Sequence, residues 1–206
     1  MHLDQVSSGT AMKQIPILQT ERLLLRGWRE SDLDPLARMM ADPEVARFIG
    51  GTQPRSNVWR AMAMYVGLWA LHGYGFWVVE RKSDGAFLGR VGLWQPEPWP
   101  GMELAWTLDR PHWGNGYATE AAKAALDYGF LNHPVPRLVS LIDPQNAPSQ
   151  RVASRLGETK GGPITVELFG HSFSPDVWEI RSPRGLNTRV TPSSANYPPG
   201  ASDGGC

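Results

Sequence analysis

Residues 113–118, Trp-Gly-Asn-Gly-Tyr-Ala, lead straight into an alanine-rich segment whose apolar positions Ala122, Ala125, Leu126 and Phe130 recur at helical spacing. At a helix start the first backbone N–H groups lack partners within the helix, and the aligned peptide dipoles leave partial positive charge there. Glycines at Gly114 and Gly116 would let an anion such as a phosphate approach that main chain without a side chain in the way. The glycines alone suit a tight ligand-free turn equally well. Just upstream, residues 102–109 set Met102, Leu104, Trp106 and Leu108 on one period-2 face and Glu103, Ala105, Thr107 and Asp109 on the other. The pair of patterns predicts a strand with one acid near its start, handing over to a helix through a bare turn.

Composition narrows the chemistry. A chain of 206 residues suits one compact domain with loose ends. Its 20 Lys plus Arg balance 20 Asp plus Glu, so net charge offers nothing to attract nucleic acid or an anionic membrane, and neither is expected as a partner. The single cysteine, Cys206, excludes an internal disulfide framework and suits a reducing compartment. No apolar run approaches bilayer length, and residues 1–20 lack the pattern of a secretory signal, so a soluble cytoplasmic protein is expected. The histidines show no zinc spacing, and no metal is expected. The glycine turn lacks the third glycine and the later acid of a dinucleotide site, and there is no P-loop lysine-serine pair.

The elements that must position this stretch follow from periodicity. Residues 1–19 show no clear period and read as an N-terminal arm, with the domain spanning 20–182. Residues 21–28 read as a strand. Ser31, with Asp34 three residues on, predicts a capped helix carrying Leu33, Leu36 and Met40, ended by Asp42-Pro43. A second helix is predicted over 57–71 from Val58, Met62, Tyr65 and Trp69. Residues 76–80 and 87–94 form a hairpin about Ser83-Asp84-Gly85. Residues 138–142 read as a buried parallel strand, Asn146 as the cap of a helix over 147–156, and Gly157 as its stop. Residues 165–169 and 177–180 read as a final hairpin around Gly170 and His171. Residues 183–206, rich in Pro, Ser, Gly and Asn, read as a disordered tail.

This order of elements resembles the GCN5-related N-acetyltransferase (GNAT) fold, an α/β (α+β) architecture with a mixed, mostly antiparallel sheet of six to seven strands, splayed parallel central strands and about four helices. The family signature of Gln or Arg, two residues, Gly, one residue, then Gly or Ala is met by residues 113–118 except that Trp113 replaces the polar first residue. The chain is closer still to the RimJ/RimL-like, ribosomal-protein-alanine acetyltransferase branch, through its Trp-Gly-x-Gly-Tyr-Ala-Thr-Glu-Ala string and the later Asn146-x-x-Ser149. The resemblance implies acetyl-CoA as co-substrate. Its pyrophosphate would lie on the turn from Trp113 through Gly114, Asn115, Gly116, Tyr117 and Ala118 to Thr119, its pantetheine along Trp106, Thr107 and Leu108, and its distal part near Asn146 and Ser149. As residues alone, Asn146 and Ser149 are equally an ordinary helix cap and first-turn hydroxyl.

By the same resemblance Glu103 holds the position of a catalytic glutamate, the general base; otherwise it is a strand-edge carboxylate facing solvent or an ammonium group. Ala153 stands where many relatives carry a tyrosine that protonates the thiolate, and Ser149 is the nearest substitute. Carbonyl polarisation would fall to a backbone N–H of the Glu103 strand. The implied activity is acetyl transfer to a primary amine, a protein N-terminus or a small molecule, by direct transfer in a ternary complex. A non-catalytic acyl-CoA-binding or regulatory module is the alternative. Trp28, Trp59, Trp69, Phe169 and His171 are expected to shape the acceptor pocket, and exposed strand edges allow a monomer or a homodimer.

Overall fold

A computed structural model describes residues 14–168 and 171–183. Strands β1 (Leu18–Gln19), β2 (Leu23–Arg26), β3 (Phe76–Arg81), β4 (Phe87–Trp94), β5 (Glu103–Leu108), β6 (Arg137–Ile142), β7 (Thr159–Pro163) and β10 (Asp176–Arg181) build one sheet in the order β1-β2-β3-β4-β5-β6-β10-β7. Strands β8 (Val166–Leu168) and β9 (His171–Phe173) form a separate hairpin. The helices are α1 (Leu33–Ala41), α2 (Pro43–Ala46), α3 (Arg55–His72), α4 (Tyr117–Asn132) and α5 (Ala147–Leu156). Every pairing in the large sheet is antiparallel except β5 with β6. The fold is the α/β arrangement expected from sequence, with eight strands in its main sheet and five helices among the described residues.

The main core lies between the sheet and α4. Leu104, Leu93, Val91, Leu138 and the small face Ala121, Ala122 and Ala125 are all fully buried there. Alanines on α4 let the helix settle close to the sheet, so the α4 N-terminus is fixed at the end of β5. Trp69 and Trp77 meet edge to face at 4.6 Å at the far side of the same core. On the other sheet face, α3 covers a cluster of Tyr65, Phe76 and Trp94, joined by Trp28, Trp99 and Ala105, while α1 packs Leu36, Met39 and Met40 with Val45 and Val58 in a separate cluster. Beside it, Arg26 forks onto Asp32 at 2.8 Å and reaches Glu80 at 2.6 Å. Burial opposes the Arg26 charge, but the hydrogen bonds and charges of the two carboxylates outweigh it and hold the guanidinium above its ordinary pKa.

Several expectations are corrected. Ser31 is not a helix cap: it lies inside a 3₁₀ turn, Glu30–Asp32, because the Asp32 carboxylate takes the Arg29 N–H at 2.7 Å and the α-helix begins only at Leu33. Leu18 and Gln19, read as part of the arm, pair with Leu25 and Leu24, and the Trp77 indole donates to the Pro16 carbonyl at 2.7 Å. The final hairpin is not the expected one. Val166–Leu168 pairs with His171–Phe173, while β10 runs antiparallel to both β6 and β7. Strand β7 went unseen because Thr-Lys-Gly-Gly-Pro has no apolar period; all five of its residues are exposed, and its pairing with β10 defines it. The tail beyond residue 183, residues 1–13 of the arm, and Phe169 with Gly170 lie outside the described residues.

Candidate active site

Strands β5 and β6 share a single register pair, Glu103 with Val139, closed by the Val139 N–H on the Met102 carbonyl at 3.0 Å. In a parallel ladder the next bond would join the Leu141 N–H to the Leu104 carbonyl. Side chains take both groups instead. The Leu141 N–H is aimed at Glu103 Oε1 at 3.4 Å, and the Ser140 hydroxyl donates to the Leu104 carbonyl at 2.7 Å. Beyond that point the strands part, and the edge of β5 faces no strand among the described residues. Because peptide groups alternate along a strand, the side that carries the Leu104 and Leu108 carbonyls also carries the N–H and C=O of Trp106. Those of Thr107 point to β4, where Thr107 pairs with Arg90. Of the three residues expected to meet pantetheine through their main chain, Trp106 and Leu108 thus face the opening and Thr107 does not.

Glu103 is buried, 8 % exposed, at the apex of this opening. Its Oε2 accepts the Trp99 indole N–H at 2.8 Å, a partner supplied by a proline-rich loop that carried no sequence signal. Burial pushes the carboxyl up to about 8, with the Glu158 charge adding to the rise; the Leu141 and Trp99 hydrogen bonds and the Arg90 charge pull against it. A solvent-facing strand-edge carboxylate is therefore not what the structure contains. A carboxyl titrating near neutral pH in a cleft is suited to general base work.

A second carboxyl meets the apex from the opposite sheet face. Glu103 shares its face with Ala105 and Trp94, over α3, while Ser140 shares its face with Leu138, which packs on Gly129 of α4. Glu158, 5 % exposed, places Oε1 3.0 Å from the Ser140 hydroxyl and leaves Oε2 without a partner. Burial raises its carboxyl to about 7, against the Ser140 hydrogen bond. Ser140 has one proton and two acceptors within reach, so when it donates to the Leu104 carbonyl, the Glu158 contact requires the proton to sit on Glu158. Sequence reading gave no reason to single out Glu158, which follows the helix stop at Gly157.

At the other end of β5, Arg110–His112 forms a 3₁₀ turn, and Gly114 and Gly116 adopt φ of 80° and 78° before α4 begins. A Cβ at Gly114 would meet nothing within 4 Å, so this glycine is required by its left-handed backbone and leaves the turn open on its outer side. No side chain caps α4, and its first amide-to-carbonyl bond runs from Glu120 to Gly116, which leaves the Tyr117, Ala118 and Thr119 amides free to receive an anion. The Thr119 hydroxyl is buried and unpartnered. Arg22, just ahead of β2, donates to the Asn115 carbonyl at 3.0 Å, pairs with Glu120 at 2.6 Å and lies over the Tyr117 ring. It brings a half-exposed cation beside the turn. The Trp113 indole N–H, in place of a polar side chain, donates to the Leu108 carbonyl at 2.7 Å and ties the turn to β5.

The last helix is built as its sequence implied. Asn146 Oδ1 accepts the Ser149 N–H at 3.2 Å, and Gly157 ends the helix at φ 86°. The Ser149 hydroxyl makes no hydrogen bond among the described residues. Ala153, four residues on and so on the same helix face, is fully buried with Ile142, Trp178 and the partly buried Trp106, so no hydroxyl stands there. Of the residues expected around the acceptor, Trp28 lies 5.4 Å from Tyr65 and bonds the Phe76 carbonyl, Trp59 is 57 % exposed, and Trp69 is a core residue at 1 %. Trp69 is corrected accordingly, because α3 turns it toward Trp77. Phe169 lies outside the described residues.

A sheet in which the parallel strands β5 and β6 part beside a bare, glycine-turned helix start defines a site for a long ligand carrying an anionic group. The sequence matches the family described as "Acetyltransferase (GNAT) domain" over residues 22–159, and the chain belongs to that family of acetyltransferases. It is 36 % identical over 143 residues to the uncharacterized protein YkkB of Bacillus subtilis (strain 168), covering 68 % of this chain and 83 % of that one. The crystal structure of an acetyltransferase from Agrobacterium tumefaciens str. C58 superposes with a TM-score of 0.72 at 30 % identity, covering 84 % of this chain and 99 % of the other. The fold is shared with RimL, a ribosomal L7/L12 alpha-N-protein acetyltransferase in complex with coenzyme A, at a TM-score of 0.66 and 17 % identity over 81 % of this chain and 98 % of that one. Ribosomal-protein acetyltransferases of the RimJ/RimL kind thus stand among its structural neighbours. Among the described residues no helix is long and apolar enough to cross a membrane, and no His, Cys, Asp and Glu cluster could hold a metal.

Proposed function

We propose that this chain transfers the acetyl group of acetyl-CoA to the nitrogen of a primary amine, in one step within a ternary complex. The observation that carries this reading is the buried Glu103 carboxyl at the point where β5 and β6 part. Acetyl-CoA, when bound, supplies an activated thioester. The residues present suit it. The free amides of Tyr117, Ala118 and Thr119, the open Gly114 and the Arg22 cation would hold the pyrophosphate. The edge N–H and C=O of Trp106 and the N–H of Leu108, whose carbonyl already accepts the Trp113 indole, would satisfy the amides of the pantetheine arm. Asn146 and Ser149 would border its far part.

Glu103 takes a proton from the acceptor ammonium, directly or through a water, and its poise near neutral pH lets it do so without leaving the site permanently charged. The Trp106 N–H on the open edge is the backbone donor placed to stabilise negative charge on a carbonyl oxygen. With alanine at 153, Ser149 is assigned the proton for the departing thiolate; its hydroxyl has no competing partner and lies one turn before Ala153. The absence of a tyrosine there favours the second reading, a binding module that has lost turnover. Release of free thiol from acetyl-CoA, measured over a panel of polyamines, amino acids and peptides, separates the two. Steady turnover with any amine rejects the binding-only reading; no turnover with unimpaired coenzyme A binding rejects the enzyme reading.

A further inference from the structure

The face of the sheet that carries Glu103 also carries an arginine with no carboxylate. Arg90 is central on β4, paired with Val78 on one side and Thr107 on the other. Its guanidinium lies over the Phe76 ring at 4.3 Å and the Tyr65 ring at 4.8 Å, and Nη1 donates to the Tyr65 hydroxyl. Nε is buried and has no partner, and among the described residues no acid pairs with Arg90. The contrast with Arg26 is direct, since that buried guanidinium on the same sheet is met by both Asp32 and Glu80. A guanidinium is planar, and its Nε–Nη2 edge matches a carboxylate with two parallel hydrogen bonds. In Arg90 the ring contacts and Tyr65 fix the plane of the group and leave that edge without an acceptor.

The position of this edge relative to the base sets the size of what fits between them. Arg90 leans over Phe76, which is level with Gly92 and, across β4, with Ala105. Glu103, level with Trp94, is two residues further along β5. At the rise of an antiparallel strand that is on the order of 7 Å between the cation and the carboxyl. The Arg90 charge is felt at Glu103, where it opposes the rise caused by burial. Trp94 and Tyr65, packed ring against ring with Phe76, and Ala105 form the buried apolar cluster beside this interval, which has one acid at one end and, at the other, one cation that no acid meets among the described residues. An amine and a carboxylate on one carbon, each with a hydrogen bond outward, span about this interval.

We infer that Arg90 is the anion-reading residue of the acceptor pocket, and that the amine acetylated by this chain is the α-amino group of a small free amino acid or close analogue whose carboxylate lies on Arg90. This rests on the acetyltransferase reading above and adds the acceptor class to it. A peptide N-terminus places a neutral amide where the carboxylate would sit, and would leave the cation unanswered at that site.

The full-length protein is tested with each of the common L-amino acids against the same amino acid as its amide, by thiol release from acetyl-CoA. Binding of acid and amide is measured in parallel by titration calorimetry with coenzyme A present, which needs no turnover. The acid of the preferred pair is expected to exceed its amide in kcat/KM by about 10- to 100-fold, the span of a charge-assisted hydrogen-bonded contact. Arg90→Met removes the preference, chiefly through KM, and Arg90→Lys keeps part of it because the charge remains while the planar fork is lost. Equal use of acid and amide, preference for peptides with neutral first residues, or an Arg90→Met variant that loses both substrates equally overturns the assignment while leaving acetyl transfer intact. If no amine is turned over, the transferase reading fails, and calorimetry still decides on Arg90: acid binding lost in Arg90→Met supports the anion site, and no acid binding in wild type refutes it.

Discussion

Replacing Glu103 by Gln should make the protein more stable in alkaline solution, although the residue is buried and hydrogen-bonded. The carboxyl has an ordinary value of 4.5 and sits at about 8 in the fold, so the native state holds its proton more tightly than the unfolded chain. The contribution is fully present below about pH 4.5 and is lost as pH rises through about 8. Each pH unit across that window is worth about 1.4 kcal/mol, so the whole window spans on the order of 5 kcal/mol. Glutamine cannot ionise, but it keeps an acceptor for only one of Trp99 and Leu141, which donate to different carboxylate oxygens, and turns an amide N–H₂ toward the other N–H, at a cost of about 1–3 kcal/mol. Urea denaturation across the pH range should therefore show the variant equal to or below wild type near pH 5 and above it near pH 9, with the midpoints crossing between. A residual decline in the variant up to about pH 7 belongs to Glu158, and Glu103→Gln with Glu158→Gln removes it. Parallel pH dependences for wild type and Glu103→Gln would refute the reasoning, because they would mean that Glu103 ionises in the fold as it does in the unfolded chain.

Three other perturbations test separate parts of the structure. Gly114→Ala strains a left-handed residue by about 1–2 kcal/mol without a clash, so denaturation should show that modest loss while calorimetry with coenzyme A shows a separate, roughly tenfold weakening of binding. Asp32→Ala leaves Arg26 with one of its two carboxylates, and unfolding free energy should fall by about 3–5 kcal/mol. Trp99→Phe removes a hydrogen bond that lowers the Glu103 pKa, so the rising limb of the pH–rate profile should move to higher pH, with little change in coenzyme A affinity.

What the sequence made legible was local. Gly157 stops α5, Asn146 caps it, and the Ser83-Asp84-Gly85 turn joins β3 to β4, each as a neighbour-to-neighbour effect of backbone conformation. The order of elements, with the Trp113 to Ala118 turn ahead of α4, carried the family. What was not legible depends on partners distant in sequence. Strand β7 exists because β10 offers it hydrogen bonds, and Ser31 lost its cap role because Asp32 is drawn to Arg26. Glu103 could be named from its position, but its burial needs Trp99 and the Leu141 N–H, and its companion Glu158 meets it through Ser140 across the sheet. Nothing in the sequence singles out Arg90 within its strand; its setting is made by Tyr65 and Phe76 of other elements.

The claim on which the rest depends is that Glu103 is the base for acetyl transfer, and the pH dependence of a single turnover measures it most directly. With saturating acetyl-CoA and a saturating accepted amine, thiol release in wild type should rise with pH through an apparent pKa near 8. Glu103→Gln should be slower by about 10²- to 10⁴-fold and lack that limb, with coenzyme A affinity unchanged. A variant that keeps both the rate and the rise through pH 8 would contradict the account.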